Sequence, residues 1–332
     1  MDEDRIRRKR ISMSVEEFLS EWHSPAPTLL VHTSGSTGQP KPLWVEKRRM
    51  EASARITCEF LGLHAGDTAL LCMPLDYIAG KMMVVRALTC GLQLISVAPS
   101  GHPLANQSAC DFAAMVPLQV YNSLQIAEER ERLMQIRHLI IGGGAIDPAM
   151  EEQLRHFPNA VWSTYGMTET LSHIALRRLS GPEASQWYTP FPTVALSLSE
   201  DGCLIIDAPQ VCNERLTTND LAEIAPDGRF RILGRKDNVI CSGGIKIQIE
   251  DVEQLLKPHI HSPFLITKRK DVKLGEAVVL LTEGYINEAK EACQQLLPRH
   301  WQPRHYQQVT HIPLTETGKP ARQIAEKIAE KG

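Results

Sequence analysis

The chain lacks an excess of positive charge: 36 Lys and Arg stand against 39 Asp and Glu, a formal net charge of −3. A general nucleic-acid binder carries a basic excess, so that class is set aside. Aromatic residues are only 5% of the sequence, too few for the stacking platforms of single-strand binders. The eight cysteines (Cys58, Cys72, Cys90, Cys110, Cys203, Cys212, Cys241, Cys293) occur singly, and without a CxxC pair a zinc site lacks its usual spacing. They read as reduced thiols of a cytoplasmic protein. No apolar run approaches the ~18 residues that a membrane-spanning helix needs, so no membrane insertion is expected. The basic cluster between Arg5 and Arg10 is followed by no apolar stretch, so it is not a secretory signal. It reads as a solvated tail or helix face rather than as a contact for RNA or a membrane surface.

What is present is an ordinary globular composition: 43% hydrophobic and 23% charged residues over 332 positions, enough for two domains. Ser14 followed by Glu17 predicts a capped helix to Trp22, broken by Pro25 and Pro27. Strands are expected at Thr28 to His32, Asp67 to Met73, Leu92 to Val97, Asp111 to Val116, Arg137 to Ile141 and Val161 to Tyr165. Helices are expected between them, at Lys47 to Gly62, Gly80 to Gly91, Glu128 to Gln135 and Pro148 to Phe157. This alternation predicts an α/β fold with a mostly parallel sheet flanked by helices. After Ser180 the texture becomes short strands split by turns such as EDG and PDG, which is antiparallel β. Beyond Gly234 it returns to mixed α and β. The expected division is a large domain over 1–234, with an antiparallel β subdomain at about 185–234, and a small α+β domain over 235–332.

Four stretches carry chemistry. In HTSGSTGQPKPLW, Gly35 and Gly38 allow close backbone approach. Thr33, Ser34, Ser36 and Thr37 add hydroxyls and Lys41 a positive charge, a combination that suits polyphosphate oxygens. It is not a Walker A sequence, because Pro40 precedes Lys41 and Pro42 follows it. A flexible Ser/Gly linker is the competing reading. In IIGGGAID and STYGMTET, a glycine run after a buried strand lets a flat group lie on backbone, or simply makes a tight turn. Tyr165 offers a ring face, Thr168 a hydroxyl and Glu169 a carboxylate. Glu169 either holds Mg²⁺ on phosphates or is a charge favoured at a helix N-terminus. In TTNDLAEI and GRKDNVICSGGIKIQIE, Asp220 ends a strand-like stretch where its carboxylate can accept ribose hydroxyls. Arg235, Lys236 and Asp237 make a charged knot that equally suits a solvated linker. Gly243 and Gly244 suit a hairpin turn. In PLTETGKPAR, Lys319 follows Gly318 in a turn and reads on its own as an exposed surface lysine.

Taken in this order, the four stretches resemble the adenylate-forming superfamily of acyl-CoA synthetases, luciferases and peptide-synthetase adenylation domains, over roughly residues 28 to 325. The resemblance implies activation of a carboxylate by ATP to an acyl-adenylate, then transfer to a thiol, usually that of CoA. By motif match, Thr33 to Lys41 would hold the β- and γ-phosphates, and Gly143, Gly144, Ala145, Thr164, Tyr165 and Gly166 would line the adenine. Thr168 and Glu169 would serve the α-phosphate and Mg²⁺, and Asp220 and Arg235 the ribose. Lys319 would bridge carboxylate and α-phosphate oxygens. Asp237 matches the hinge of a swivelling lid, and Ser242, Gly243 and Gly244 the thioester motif. MPLDYIAGKM resembles the acyl-pocket helix of the o-succinylbenzoate–CoA ligases, with Tyr77 where a His is usual, and TTND stands where TGD is usual. Lys81 or Arg86 is then expected either to pair with a second carboxylate of the acid or to lie on a solvated helix face. Relatives carry a substantial segment ahead of the phosphate loop, which here starts at Thr33. The wall that segment provides is expected to be dispensable for a small acid or supplied by a second chain, as in a homo-oligomer.

Overall fold

The computed structural model describes residues 13–32, 42–107, 109–315 and 319–331. The basic cluster at Arg5 to Arg10 lies outside them. Helix α1 (Val15–His23) starts at the expected cap: the Ser14 hydroxyl accepts from the Glu17 N–H while the Glu17 side chain accepts from the Ser14 N–H. Strand β1 (Thr28–His32) pairs antiparallel with β2 (Pro42–Glu46), Thr28 opposite Glu46 and His32 opposite Pro42. The phosphate-loop motif therefore joins two strands of a hairpin, where the sequence suggested a strand followed directly by a helix. Trp44 and Val45 supply the β preference of the added strand, and helix α2 (Lys47–Leu61) then starts at the expected residue.

There follow β3 (Thr68–Leu71), α3 (Ile78–Cys90), β4 (Gln93–Ser96), β5 (Phe112–Met115), α4 (Pro117–Leu124), α5 (Ala127–Gln135), β6 (His138–Ile141), α6 (Pro148–Arg155), β7 (Ala160–Gly166), β8 (His173–Arg178) and β9 (Thr189–Pro190). They build a seven-stranded sheet in the order β4-β3-β5-β6-β7-β8-β9. Strands β3 to β7 are parallel, and β8 and β9 are antiparallel additions. Runs such as Phe112 to Met115 are buried throughout, as parallel strands covered on both faces must be. Strands β10 (Ala195–Leu198), β11 (Cys203–Asp207), β12 (Leu216–Ile224) and β13 (Phe230–Arg235) form a separate antiparallel sheet. One continuous apolar core runs from Phe18 to Phe230 and includes residues of both sheets.

The rest comprises β14 (Val239–Ser242), β15 (Ile245–Gln248), α7 (Ile249–Leu256), β16 (Phe264–Asp271), β17 (Gly275–Thr282), α8 (Ile286–Leu296), β18 (His305–Gln308) and α9 (Arg322–Lys331). Here the period of two is visible in the packing. Ile266, Val278 and Leu280 pack with residues of α7 and α8, while Leu265, Val279 and Leu281 pack with Ala325 and Ala329 of α9. This α+β unit shares no core residue with the first. Polar bonds join the two: Gln248 Nε2 donates to the Arg235 carbonyl at 3.0 Å, and Lys257 Nζ lies 3.7 Å from Asp147. Among the described residues no helix is long and apolar enough to cross a membrane.

Candidate active site

Strands β6 and β7 both run toward one edge of the parallel sheet, where α/β proteins place their ligands. Gly143, Gly144 and Ala145 follow β6 there and are exposed. Gly143 has φ +82°, a conformation that excludes most side chains. Thr164 and Tyr165 end β7 beside them, half-buried. A Cβ on Gly142 would collide with the Thr164 hydroxyl, and one on Gly166 with the Ser172 carbonyl.

Tyr165 reaches across to the antiparallel sheet. Its ring meets Phe230 edge-on at 5.2 Å, and its hydroxyl donates to Asp220 Oδ2 at 2.7 Å. Burial, reinforced by the Asp220 charge, pushes the phenol well above its ordinary pKa. Asp220 lies in the middle of β12, not at a strand end as its flanking residues suggested; its register partner is Arg235 of β13. Arg235 Nη1 donates to Asp220 Oδ1 at 3.1 Å, and its Nε and Nη2 donate to the two oxygens of Asp237, each at 2.9 Å. The bonds to Asp237 raise the Arg235 pKa against the opposing effect of burial. Burial works against ionisation of Asp237 too, but Arg235 holds its carboxyl below the usual range.

Lys319 is half-buried, which overturns the reading of it as an exposed surface lysine. Its N–H donates to Thr315 Oγ1 at 3.1 Å and its carbonyl accepts from Thr315 N at 2.7 Å, with Leu314 bridged to Pro320 outside them. Burial and repulsion by Arg235 depress the ammonium pKa, and Asp220 opposes them. Asp220, Arg235 and Lys319 thus share one electrostatic neighbourhood although 99 residues separate the first from the last. No spacing in the sequence announces that proximity.

Thr168, buried, and Glu169, exposed, begin a single 3₁₀ turn ending at Thr170. The fully buried Thr170 hydroxyl accepts the Met167 N–H at 3.1 Å and lies 2.8 Å from the Ser172 carbonyl. Leu171 then takes φ +66°, the one non-glycine residue with positive φ among those described. Among the described residues no group of three or more metal-type ligands exists. The exposed Glu169 carboxylate matches a Mg²⁺ ion held by one carboxylate and substrate oxygens. Ser242 closes β14, and Gly243 (φ +59°) and Gly244 (φ +82°) form a two-residue hairpin turn into β15. No hydrogen bond or ion pair among the described residues joins this turn to Asp220, Arg235 or Lys319. Thr33, Ser34, Gly35, Ser36, Thr37, Gly38 and Lys41 lie outside the described residues; the β1–β2 hairpin is their described frame.

Tyr77 caps α3. Lys81 and Arg86, one and two turns on, are both buried rather than solvated, and they differ. Lys81 Nζ is engaged by α1: it lies 3.7 Å from Glu21 Oε2, 3.6 Å from Met13 Sδ and 5.4 Å from the Phe18 ring centre. Arg86, only 2% exposed, has no carboxylate partner among the described residues. Its Nη2 donates to Ser172 Oγ at 2.6 Å, its Nη1 faces Met83 Sδ at 3.8 Å, and its Nε has no partner among the described residues. Burial lowers its pKa to about 10 against the small opposing influence of Cys58 and Cys90. Sequence reasoning missed the groups around it. His173 Nδ1 lies 3.2 Å from Ser172 Oγ, and His173 Nε2 lies 3.3 Å from Thr57 Oγ1. Ser172 and His173 stand where a buried strand begins, and no pattern in the sequence marks them.

The structure thus brings together a glycine loop at the edge of a parallel sheet, a tyrosine bonded to an Asp–Arg pair and a half-buried lysine from a distant turn. The chain belongs to the AMP-binding enzyme family, whose model matches residues 6–212. It is similar to the 2-succinylbenzoate–CoA ligase of Haemophilus influenzae, with 25% identity over 313 residues, 89% of this chain and 67% of that protein. The chain therefore spans about two thirds of the length of that relative. An acyl-CoA synthetase (AMP-forming)/AMP-acid ligase II-like protein from Dyadobacter fermentans is 34% identical with a TM-score of 0.64, covering 93% of this chain and 91% of that one. The o-succinylbenzoate CoA synthetase of Bacillus subtilis, solved with an acyl-adenylate, shares the fold at TM-score 0.75 and 22% identity, over 89% of this chain and 68% of that one.

Proposed function

We propose that this chain is an ATP-dependent, AMP-forming acid–thiol ligase that converts o-succinylbenzoate to its CoA thioester. The observation that carries the choice of acid is Arg86: a buried guanidinium with no carboxylate of its own suits an acid that brings a second carboxylate. The names of the relatives and the family membership support the same reading. Met83, a flexible side chain, covers one edge of the guanidinium and is the part that gives way to an entering acid.

In the first half-reaction the succinyl carboxylate attacks the α-phosphorus of ATP, and pyrophosphate leaves with the electron pair of the broken P–O bond. In the second, the CoA thiolate attacks the acyl carbonyl and AMP leaves. The first step brings two anions together, so charge neutralisation and alignment dominate. Lys319 supplies a cation whose donors bridge the two anions. Two acceptor positions of Asp220 are taken by Tyr165 and Arg235, which leaves the others for ribose hydroxyls. Tyr165 and the glycines after β6 hold the adenine between a ring and bare backbone. Glu169 would hold Mg²⁺, which supplies neutralising charge on the phosphates, and Thr168 adds a hydroxyl to the same oxygens. The part beginning at Arg235 acts as a mobile lid with its hinge at Asp237. Its rotation withdraws Lys319 and brings Ser242, Gly243 and Gly244 toward the thiol path.

ATP–pyrophosphate exchange across a panel of carboxylates tests the assignment. Exchange driven by o-succinylbenzoate, with weak signals from benzoate and fatty acids, is expected. Stimulation by benzoate or fatty acids alone would sink the proposal.

A further inference from the structure

The buried polar groups beside Arg86 form one chain whose hydrogen-bond directions are set from end to end. Thr57 Oγ1 lies 3.0 Å from the Ser53 carbonyl, which only accepts, so the hydroxyl proton is committed there. Its lone pairs face His173 Nε2 at 3.3 Å, so Nε2 carries the imidazole proton. Nδ1 of the neutral ring is then an acceptor, and Ser172 Oγ, 3.2 Å away, donates to it. The lone pairs left on Ser172 receive the Arg86 Nη2–H at 2.6 Å. A guanidinium only donates, so the chain closes without conflict. Thr57, His173 and Arg86 come from α2, β8 and α3 and are all buried. An imidazolium would need both ring nitrogens to donate, turning the Ser172 hydroxyl round, and would set a second cation beside Arg86. Burial, and then the Arg86 charge, keep His173 far below its ordinary pKa and hence neutral.

We propose that His173 is a positioning residue for acid recognition: through Ser172 it orients the Arg86 guanidinium so that its unpartnered Nε–H is left for the second carboxylate of the acid. The proposal rests on the reading of Arg86 given above and adds to it the group that aims the guanidinium.

The test compares o-succinylbenzoate with 3-benzoylpropionate, the same acid without its ring carboxylate, in steady-state assays of the full chain. His173→Leu should raise KM for o-succinylbenzoate about tenfold, a loss of the size expected for a loosened charge-assisted bond, with kcat within about twofold. KM for 3-benzoylpropionate should not change. His173→Asn, whose amide oxygen can take the place of Nδ1 and accept from Ser172, should recover most of the loss. Arg86→Gln separates the two claims. If it leaves the discrimination between the acids intact, the acid-pocket reading fails. If it abolishes discrimination while His173→Leu keeps it, the positioning claim fails and the pocket reading stands. Equal losses with both acids in His173→Leu, not recovered by Asn, would reduce His173 to a structural role and overturn the proposal. Should the Leu variant not fold, nitrogen NMR of the wild-type ring decides, since a proton on Nδ1 contradicts the chain of bonds.

Discussion

The two ends of strand β8 treat buried arginine in opposite ways. Near its last residues, Arg177 makes a two-pronged pair with Glu151 (2.7 and 2.9 Å), donates also to the Ser185 carbonyl at 3.1 Å and lies over the Tyr188 ring. Those partners raise its pKa in spite of burial. At the opening residues of the same strand, Arg86 meets a hydroxyl, a thioether and no carboxylate, and its pKa falls to about 10. A cation kept for architecture is neutralised within the chain. A cation without an internal counterion costs stability at rest, and such cost is tolerated where a ligand supplies the missing charge.

The contrast breaks most visibly at Glu151. Glu151→Ala strands the Arg177 charge and should lower the unfolding free energy by about 3 kcal/mol in urea titrations; a change under about 1 kcal/mol would erase the distinction. Arg177 holds the Glu151 carboxyl below its ordinary range even though burial pushes the other way. A carboxyl with a depressed folded pKa stabilises above its unfolded pKa and loses that contribution as pH falls through the folded value. The variant should accordingly show a flatter decline of stability on the acid side than the parent. Arg86→Met should move stability the other way or not at all, a gain of about 0–1 kcal/mol, because an unpaired buried charge is replaced by an apolar chain of similar length. A loss as large as that of Glu151→Ala would make Arg86 another architectural cation. The smallest effect concerns Cys90, whose thiol is held below its ordinary pKa first by a hydrogen bond from Cys58 and then by the Arg86 charge, against burial. Its alkylation by iodoacetamide near neutral pH should slow about threefold in Arg86→Met, with the exposed Cys241 as internal reference. Equal rates would show that the field of Arg86 does not reach it.

Much of the fold was legible because it rests on local pattern. The capping box at Ser14, the strand His138–Ile141 and the turns of the antiparallel sheet each announce themselves within a few residues. The elements that were not anticipated lack such marks. β2 carries Pro42 at its start, α4 begins at Pro117, and β8 mixes Arg177 and Arg178 into a buried strand. In the site, Tyr165, Asp220 and Arg235 could be named singly, but their hydrogen bonds depend on how two sheets meet. Lys319 read as exposed because the charges that act on it, Arg235 and Asp220, are far away in sequence. Lys81 and Arg86 looked equivalent until α1 folded back to engage one of them. His173 had no reason to be noticed without Thr57, which lies 116 residues earlier in the chain.

Leu171 has a wider consequence than its own strained backbone. A leucine at φ +66° stores on the order of 1–2 kcal/mol, which the surrounding turn has to overcome. Two residues before it, Glu169 is turned outward to solvent; one residue after it, Ser172 is turned inward to Arg86. On the proposed function, the kink would set the spacing between the side that would meet phosphate and the side that would meet the acid. Relaxing it would leave each set of groups locally whole while changing the distance between them. For a reaction that joins an oxygen of one substrate to the phosphorus of another, that distance is the quantity the enzyme has to keep.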